Sequence, residues 1–148
     1  SNDIDIGSFG AGPCTIMILY NDTSRLVSHL DATTDLENFK IQVQKYSEKE
    51  KYLSHLDSYS KKFMDKECVS QRHVTFIMYL NEVEKGGETY FPLLDLNIEP
   101  KKGSLIAFEN CFRNTIYTHP KSLHGSEPIQ SGEKYILNLW SSKTFKLD

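Results

Sequence analysis

The chain has 148 residues, of which 39% are hydrophobic and 11% aromatic, an ordinary composition for a globular protein with one buried core. The 17 basic and 20 acidic residues give a formal net charge of −3, which argues against a nucleic-acid-binding surface because such surfaces carry a basic excess. No apolar run is long enough to span a membrane and no signal-peptide pattern opens the chain, so we expect one domain over residues 1–148 without a membrane or nucleic-acid partner.

The first part of the chain predicts a short strand followed by a helix. Residues 14–20 are rich in β-branched and apolar side chains, which is typical of a short buried strand. Thr23 or Ser24 can cap a helix, and the apolar side chains in residues 26–30 follow helical spacing. Three cysteines (Cys14, Cys68 and Cys111) without close spacing suggest neither a disulfide framework nor a zinc site, so we expect a reducing, cytoplasmic setting.

From residue 39 onward the pattern is that of β-structure. Residues 39–46 alternate strictly between apolar and polar, which predicts a half-buried strand, and residues 52–57 return as another strand. Residues 58–70 are polar and lack a strong period, which predicts a loop or lid. Residues 72–81 form a strong strand pattern with apolar side chains on both faces.

Turn residues divide the remainder of the chain. The pair at residues 86–87 (Gly-Gly), the turn at residues 100–103 and the pair at residues 131–132 (Ser-Gly) each precede a strand-like segment. A short α/β opening followed by about seven strands predicts a sandwich or jelly roll, in which two facing sheets protect the strand edges.

The sequence His55-Leu-Asp57 is a candidate metal-binding motif. On a strand, residues two apart point to the same face, so both side chains can reach one metal. A third ligand must come from another strand, and His124 is the best placed. Two histidines and one carboxylate are the ligands of a non-haem Fe(II) site with open coordination positions.

A near repeat supplies a competing motif. Residues 20–31 and 46–57 both read Tyr, eight residues, then His-Leu-Asp. His29 and Asp31 lie where the apolar residues follow helical spacing, and residues two apart in a helix do not share a face. Periodicity therefore favours the second copy as the metal motif.

The last strand places polar and apolar residues on one face. Lys134, Ile136, Asn138 and Trp140 alternate with the residues of the opposite face. A lysine facing inward is unfavourable without a partner, and the carboxylate of a cosubstrate would supply one through a charge-assisted hydrogen bond. The alternative is that this face is simply the exposed one, since lysine is mostly exposed.

Several motifs, taken together and in this order, resemble the prolyl 4-hydroxylase family of Fe(II)/2-oxoglutarate dioxygenases. They are RHVTFIMYLN at residues 72–81, EKGGETYFP at 84–92, PKKG at 100–103, HGSEPIQSGEK at 124–134 and NLW at 138–140. The resemblance covers roughly residues 39–140 and implies a mainly β, double-stranded β-helix (jelly-roll) fold with a short helical N-terminal part and a catalytic core at residues 39–141.

The resemblance also implies a role for particular residues. His55, Asp57 and His124 match the iron ligands of the family. Lys134 matches the residue that pairs with the distal carboxylate of 2-oxoglutarate, which makes these four residues the expected catalytic set.

Four further positions match residues that hold the cosubstrate or the substrate. Tyr46 and Thr89 match hydroxyl groups that hydrogen-bond the distal carboxylate of 2-oxoglutarate. Arg72 and Trp140 match positions on the side of the pocket that receives a peptide substrate.

The implied activity is hydroxylation of a prolyl residue in a peptide or protein, with Fe(II), 2-oxoglutarate and O2 as cofactor and cosubstrates, ascorbate as reductant, and succinate and CO2 as co-products. One alternative is an oxygenase of the same class acting on a lysyl residue, a small molecule or a nucleic-acid base. Another is a non-catalytic jelly-roll binding module, for which a broken set of ligands or a missing lysine would be typical; here all four positions are intact.

Overall fold

The computed structural model describes residues 7–9, 16–19, 38–67 and 70–143, and for residues 7–9, 16–19 and 38–39 it describes the backbone only. The strands are β1 (Gly7–Phe9), β2 (Ile16–Leu19), β3 (Asn38–Tyr46), β4 (Tyr52–His55), β5 (Gln71–Tyr79), β6 (Lys85–Gly86), β7 (Thr89–Phe91), β8 (Leu96–Ile98), β9 (Leu105–Glu109), β10 (His124–Ser126), β11 (Ile129–Ser131) and β12 (Lys134–Lys143). Helix α1 spans Lys61–Glu67, and a single 3₁₀ turn spans Pro120–Ser122.

The strands form two main antiparallel sheets. One has six strands in the order β1-β2-β9-β5-β12-β3, and the other has four in the order β4-β10-β7-β8. Strands β11 and β6 form a small separate pair. The mainly β, jelly-roll architecture predicted from the sequence is confirmed. The structure has more strands than the sequence predicts, because the additional strands have only two or three residues each and are too short to show a period.

The core lies between the two main sheets. Phe91 on β7 and Phe108 on β9 meet edge to face, with ring centroids 5.1 Å apart, and so join the four-stranded sheet to the six-stranded one. The buried side chains of this cluster are Ile77, Tyr79, Phe91, Ile98, Ile106, Phe108 and Ile136. A second cluster, formed by Val74, Phe76, Leu105 and Ala107, packs on the opposite face of the six-stranded sheet. Strand β5 is therefore buried on both faces, as its two-sided apolar pattern predicts.

Strand β3 is present where the alternation predicts it, but its two faces are used differently from the expectation. The apolar side chains of Ile41 and Val43 are 63% and 61% exposed. The alternate side chains, Gln42, Gln44 and Tyr46, line an internal cavity. The strand turns its polar face inward because that cavity is itself lined by polar groups.

Two boundaries after β4 also differ from the expectation. The strand ends at His55, and Asp57 follows in a bend, which turns its carboxylate toward the six-stranded sheet. The segment predicted as a loop at residues 58–70 contains α1. Ser60 caps this helix by accepting a hydrogen bond from the backbone N–H of Phe63 at 3.2 Å. The helix buries none of its side chains, and for that reason its sequence shows no apolar period.

Part of the predicted N-terminal structure lies outside the described residues. Strand β2 confirms the strand predicted at residues 14–20. The helix predicted after Thr23 or Ser24, the competing pair His29 and Asp31, and the cysteines Cys14 and Cys68 belong to residues that the structure does not describe. Within the described ranges, no helix has the length and apolar character needed to cross a bilayer.

The glycine at position 87 combines a left-handed backbone with tight packing. Its φ is +77°, and a Cβ atom would lie 2.5 Å from Ile129 Cδ1 and 3.3 Å from Lys134 Cδ. We predict that Gly87→Ala lowers the free energy of unfolding by about 2–4 kcal/mol, from backbone strain and overpacking together, as measured by urea denaturation.

The matched control is Gly132→Ala. Gly132 has a similar φ of +86°, but its Cβ would meet only the flexible side chain of Glu84 at 3.4 Å. This substitution should lower the free energy of unfolding by about 1 kcal/mol, the backbone contribution alone. Equal losses in the two variants would contradict the packing argument.

Candidate metal centre

The two histidines of the predicted metal set face each other across a pair of strands. His55 ends β4 and His124 begins β10, and the two residues are direct partners in the antiparallel register. Asp57 completes the group: its Oδ1 lies 3.3 Å from His55 Nε2 and its Oδ2 lies 3.9 Å from His124 Nε2. One potential ligand atom from each of the three side chains lies within 4.8 Å of the other two. This is a geometry in which a single cation can contact all three.

Backbone carbonyls fix the tautomer of both histidines. His55 Nδ1 lies 3.0 Å from the carbonyl oxygen of Leu53, and His124 Nδ1 lies 2.8 Å from that of Ser122. A carbonyl oxygen can only accept a hydrogen bond, so each Nδ1 carries a proton, and Nε2 is the nitrogen of each ring that can bind a cation. Metal-ligating histidines are typically held by this kind of contact.

Asp57 is buried and charged. Burial alone would raise the pKa of its carboxyl group. The hydrogen bond with His55, the proximity of His124 and the hydrogen bonds donated by Thr75 Oγ1 at 2.7 Å and Trp140 Nε1 at 2.9 Å outweigh this effect, and they hold the pKa well below its usual range. The group is therefore an ionised, hard oxygen donor.

The two imidazoles differ in their electrostatic environment. Burial lowers the pKa of His124, which favours the neutral form that a metal requires. Burial also acts to lower the pKa of His55, but the hydrogen bonds with Asp57 and with the carbonyl of Leu53 outweigh it, so this pKa lies above its usual value. A cation between the rings would replace the proton that Asp57 otherwise favours on His55.

Lys134 is the first residue of β12, and its side chain is almost completely buried. Its ammonium group donates hydrogen bonds to the carbonyl oxygen of Gly87 at 2.6 Å and to Ser126 Oγ at 2.8 Å. It forms no ion pair with any residue that the structure describes, and burial lowers its pKa to about 8. The rings of Tyr46 and Tyr79 lie 5.5 Å from Nζ. A buried ammonium with only neutral partners is a favourable contact for a ligand carboxylate.

The two hydroxyl groups predicted to bind the same carboxylate as Lys134, those of Thr89 and Tyr46, have different hydrogen-bond partners. Thr89 Oγ1 accepts a hydrogen bond from the hydroxyl of Tyr79 at 2.6 Å, so its own proton is free to be donated to a ligand. Tyr46 instead donates its proton to Gln44 Oε1 at 2.8 Å, and burial raises the pKa of Tyr46 to about 12. Thr89 can thus donate a hydrogen bond to an anion, whereas Tyr46 can do so only after its hydrogen bond to Gln44 is broken.

All the site residues predicted from the sequence line one cavity of about 370 Å³. They are Tyr46, His55, Asp57, Arg72, Thr89, His124, Lys134 and Trp140. The alternative that the lysine-bearing face of the last strand is the exposed one is excluded, because this face of β12 is buried.

Arg72, another residue that lines the cavity, is stacked between two aromatic rings. Its guanidinium carbon lies 4.4 Å from the ring centroid of Trp140 and 4.7 Å from that of Tyr59. Trp140 therefore contacts Asp57 through its N–H and Arg72 through its face.

Several residues near the site were missed from the sequence. Gln44 and Asn138 line the cavity and are hydrogen-bonded to each other at 2.8 Å, and Tyr79 supports Thr89 from behind. The strand period gave a signal for Tyr79, because Thr75, Ile77 and Tyr79 lie on one face of β5 and Ile77 lines the cavity. None existed for Gln44, since glutamine alternating with apolar residues predicts an exposed face.

Comparison with known proteins gives concordant results. The model of the 2OG-Fe(II) oxygenase superfamily matches residues 41–142. A protein of Acanthamoeba polyphaga mimivirus with a provisional prolyl 4-hydroxylase name is 38% identical over 106 residues, which cover 68% of this chain and 43% of that protein. Prolyl 4-hydroxylase 13 of Arabidopsis thaliana is 35% identical over 119 residues, which cover 70% of this chain and 42% of the plant protein. The chain spans about two fifths of the length of these curated relatives.

A solved structure shows the same similarity. The viral collagen prolyl hydroxylase of Paramecium bursaria Chlorella virus-1, determined as a complex with 2OG, superposes with a TM-score of 0.64 at 33% identity. The aligned part covers 74% of this chain and 63% of the viral one. The chain belongs to the 2OG-Fe(II) oxygenase superfamily and, within it, to the prolyl 4-hydroxylase family.

Proposed function

We propose that this protein is an Fe(II)- and 2-oxoglutarate-dependent dioxygenase that hydroxylates a prolyl residue in a peptide or protein, with succinate and CO2 as co-products. The observation that carries the proposal is the shared cavity: the His55, Asp57 and His124 group and the buried ammonium of Lys134 line the same space of about 370 Å³. A binding module would have no need for both a metal-ligand set and an anion site facing it.

The donor set suits Fe(II). The Nε2 atoms of two imidazoles and one ionised carboxylate form a group of three that leaves other coordination positions open. In our proposal, His55, Asp57 and His124 hold the metal. The bound iron would activate O2 with electrons from 2-oxoglutarate, so that one oxygen atom ends in succinate, formed with release of CO2, and the other converts a C–H bond of the substrate into C–OH.

The other end of the cavity suits the distal carboxylate of the cosubstrate. Lys134 would bind this carboxylate by a charge-assisted hydrogen bond, and the free proton of Thr89 would add a second one. Tyr46 would join them after releasing Gln44. These residues would orient the cosubstrate toward the metal and exclude water from its charged end.

Arg72 and Trp140 would receive the peptide. Stacking holds the guanidinium in place beside the cavity, and its N–H groups make no hydrogen bond with any side chain or backbone group in the described ranges. They are therefore available to substrate carbonyl groups. Family membership, with relatives named prolyl 4-hydroxylases, favours a prolyl substrate over a lysyl residue, a small molecule or a nucleic-acid base.

Three further points belong to the same proposal. The catalytic core would occupy residues 39–141, since the residues that line the cavity, from Gln42 to Trp140, fall in this range. Ascorbate would keep the iron reduced between turnovers. A reducing, cytoplasmic setting agrees with Cys111, which is a buried free thiol.

The defining experiment measures succinate from 2-oxoglutarate, with and without Fe(II), in the presence of proline-containing peptides. Mass spectrometry should find a peptide product heavier by one oxygen atom, located on proline. Lysine-containing peptides without proline serve as the control. Succinate formation with no oxygenated peptide would contradict the prolyl assignment, and absence of iron-dependent succinate would contradict the enzyme itself.

We predict that His55→Ala and His124→Ala each lower iron affinity and succinate formation by more than about 100-fold, because even the outer partners of metal ligands contribute 10–100-fold. His119→Ala is the matched control, since His119 is buried but does not line the cavity. Iron binding is measured directly by anaerobic titration. Loss of turnover in His29→Ala with turnover retained in His55→Ala would show that the competing motif is the metal site.

We predict that the affinity for 2-oxoglutarate weakens as pH rises through about 8, the value to which burial lowers the pKa of Lys134. Below this pH the ammonium is charged and attracts the carboxylate; above it the amine is neutral and the attraction is lost. Lys134→Arg should remove the pH dependence, because a guanidinium stays charged. Lys134→Met should raise the KM for 2-oxoglutarate below this pH, where the ammonium is charged, and an unchanged KM there would exclude the proposed contact.

A further inference from the structure

A chain of buried hydrogen bonds lies behind the metal-facing carboxylate. Asn110 donates from Nδ2 to Thr75 Oγ1 at 2.8 Å, and Thr75 donates from Oγ1 to Asp57 Oδ2 at 2.7 Å. Thr75 is 1% exposed and Asn110 is 0% exposed. Neither of these two residues lines the cavity, so they contact neither the proposed cosubstrate site nor the substrate side.

The direction of each bond follows from the chemistry of its partners. An ionised carboxylate can only accept, so the Thr75 hydroxyl proton points to Asp57. The lone pairs of Thr75 Oγ1 are then the acceptors for Asn110, whose amide must present Nδ2. The backbone of Asn110 is fixed as well, because its N–H donates to the carbonyl of His73 at 2.8 Å and its carbonyl accepts from the N–H of His119 at 2.9 Å.

Trp140 completes the coordination of the same oxygen. Its Nε1 donates to Asp57 Oδ2 at 2.9 Å, alongside the Thr75 hydroxyl. A carboxylate offers about four lone-pair positions, two on each oxygen, so both positions of Oδ2 are used. Oδ1 faces His55 Nε2 at 3.3 Å, so it would be the oxygen available to a cation that replaces the proton between these two atoms.

We propose that Thr75, oriented by Asn110, is a positioning residue for a divalent cation: with Trp140 it occupies Oδ2, so that Asp57 binds the cation through Oδ1 alone. One carboxylate oxygen instead of two leaves an additional coordination position for the cosubstrate or O2. The inference rests on the proposed metal role of Asp57 and assigns a function to two residues that do not touch the cation.

The competing explanation is that the hydroxyl and the amide only satisfy each other inside the core. The two explanations differ when both polar groups are removed together. Replacing both partners of a buried hydrogen bond by apolar groups of similar shape is nearly neutral for stability, whereas removing one leaves the other unsatisfied. A purely structural pair would then give back normal cation binding along with normal stability.

The test uses metal-free protein titrated with Co(II) in a calorimeter, together with urea unfolding of the same metal-free variants. Thr75→Val should weaken Co(II) binding by about 10- to 100-fold, and Thr75→Ser, which keeps the hydroxyl, should remain within about threefold of the original protein. The double variant Thr75→Val with Asn110→Leu should recover the part of the stability that Thr75→Val loses through the unpaired Asn110 amide, and it should still bind Co(II) about 10-fold or more weakly.

Ser104→Ala provides the matched control. Ser104 is 2% exposed and donates to the carbonyl of Lys101 at 2.6 Å, away from the cavity, so its loss should lower stability without changing Co(II) affinity. The proposal is overturned if Thr75→Val binds Co(II) like the original protein, if the double variant regains normal affinity, or if Ser104→Ala weakens binding as much as Thr75→Val.

The failure of this inference can be told apart from failure of the proposed metal site. If His55→Ala abolishes Co(II) binding and Thr75→Val does not alter it, the site stands and the positioning role is wrong. If the unaltered protein binds no Co(II), or His55→Ala binds it normally, both are wrong.

Discussion

The buried carboxylate of Asp57 is the group on which the site depends. It follows β4 of the four-stranded sheet, yet its hydrogen bonds come from Thr75 on β5 and Trp140 on β12 of the six-stranded sheet. Both sheets therefore meet at one charged side chain. An unpaired charge at this depth would be strongly unfavourable, so the surrounding donors are a requirement of the fold as well as of the chemistry.

The remaining features follow from this position. Because β4 and β10 pair in a register that sets His55 opposite His124, the carboxylate lies beside two imidazoles whose outer nitrogens are already bound to backbone carbonyls. Strand β12 lines the cavity along its length: Lys134 is its first residue, bonded to Gly87 and Ser126, and Trp140 lies six residues later, bonded to Asp57. The length of a single strand thus determines the separation between the two ends of the site.

The sequence predicts the local parts of this arrangement well. Strict alternation places Lys134, Asn138 and Trp140 on one face of β12. His55 and Asp57 also reach one point, but through the bend that follows β4 and not through the shared strand face that their spacing suggested. Strand period is a local property, and it is encoded residue by residue. The convergence of distant positions such as Thr89 and His124 came from the family resemblance, because spacing along a chain does not specify which strands become neighbours.

What the sequence did not reveal depends on tertiary contacts. The inward orientation of Gln44 and the outward one of Ile41 reverse the usual preference, since a polar cavity competes with the apolar core for one face of β3. The role of Asn110 is invisible for the same reason: it acts through Thr75, 35 positions away in the chain. Helix α1 is set by a cap at Ser60 rather than by burial, so hydrophobic periodicity could not detect it.

The double contact of Trp140 constrains how this enzyme family can diversify. Its indole N–H bonds to Asp57 and its ring face supports Arg72, so a change of shape at this position alters the surroundings of both charged side chains at once. Tyr59 supports the same guanidinium from the other side and has no bond to the carboxylate. A substitution at position 59 can therefore change the support of Arg72 without removing a hydrogen bond from Asp57, whereas a substitution at position 140 changes both.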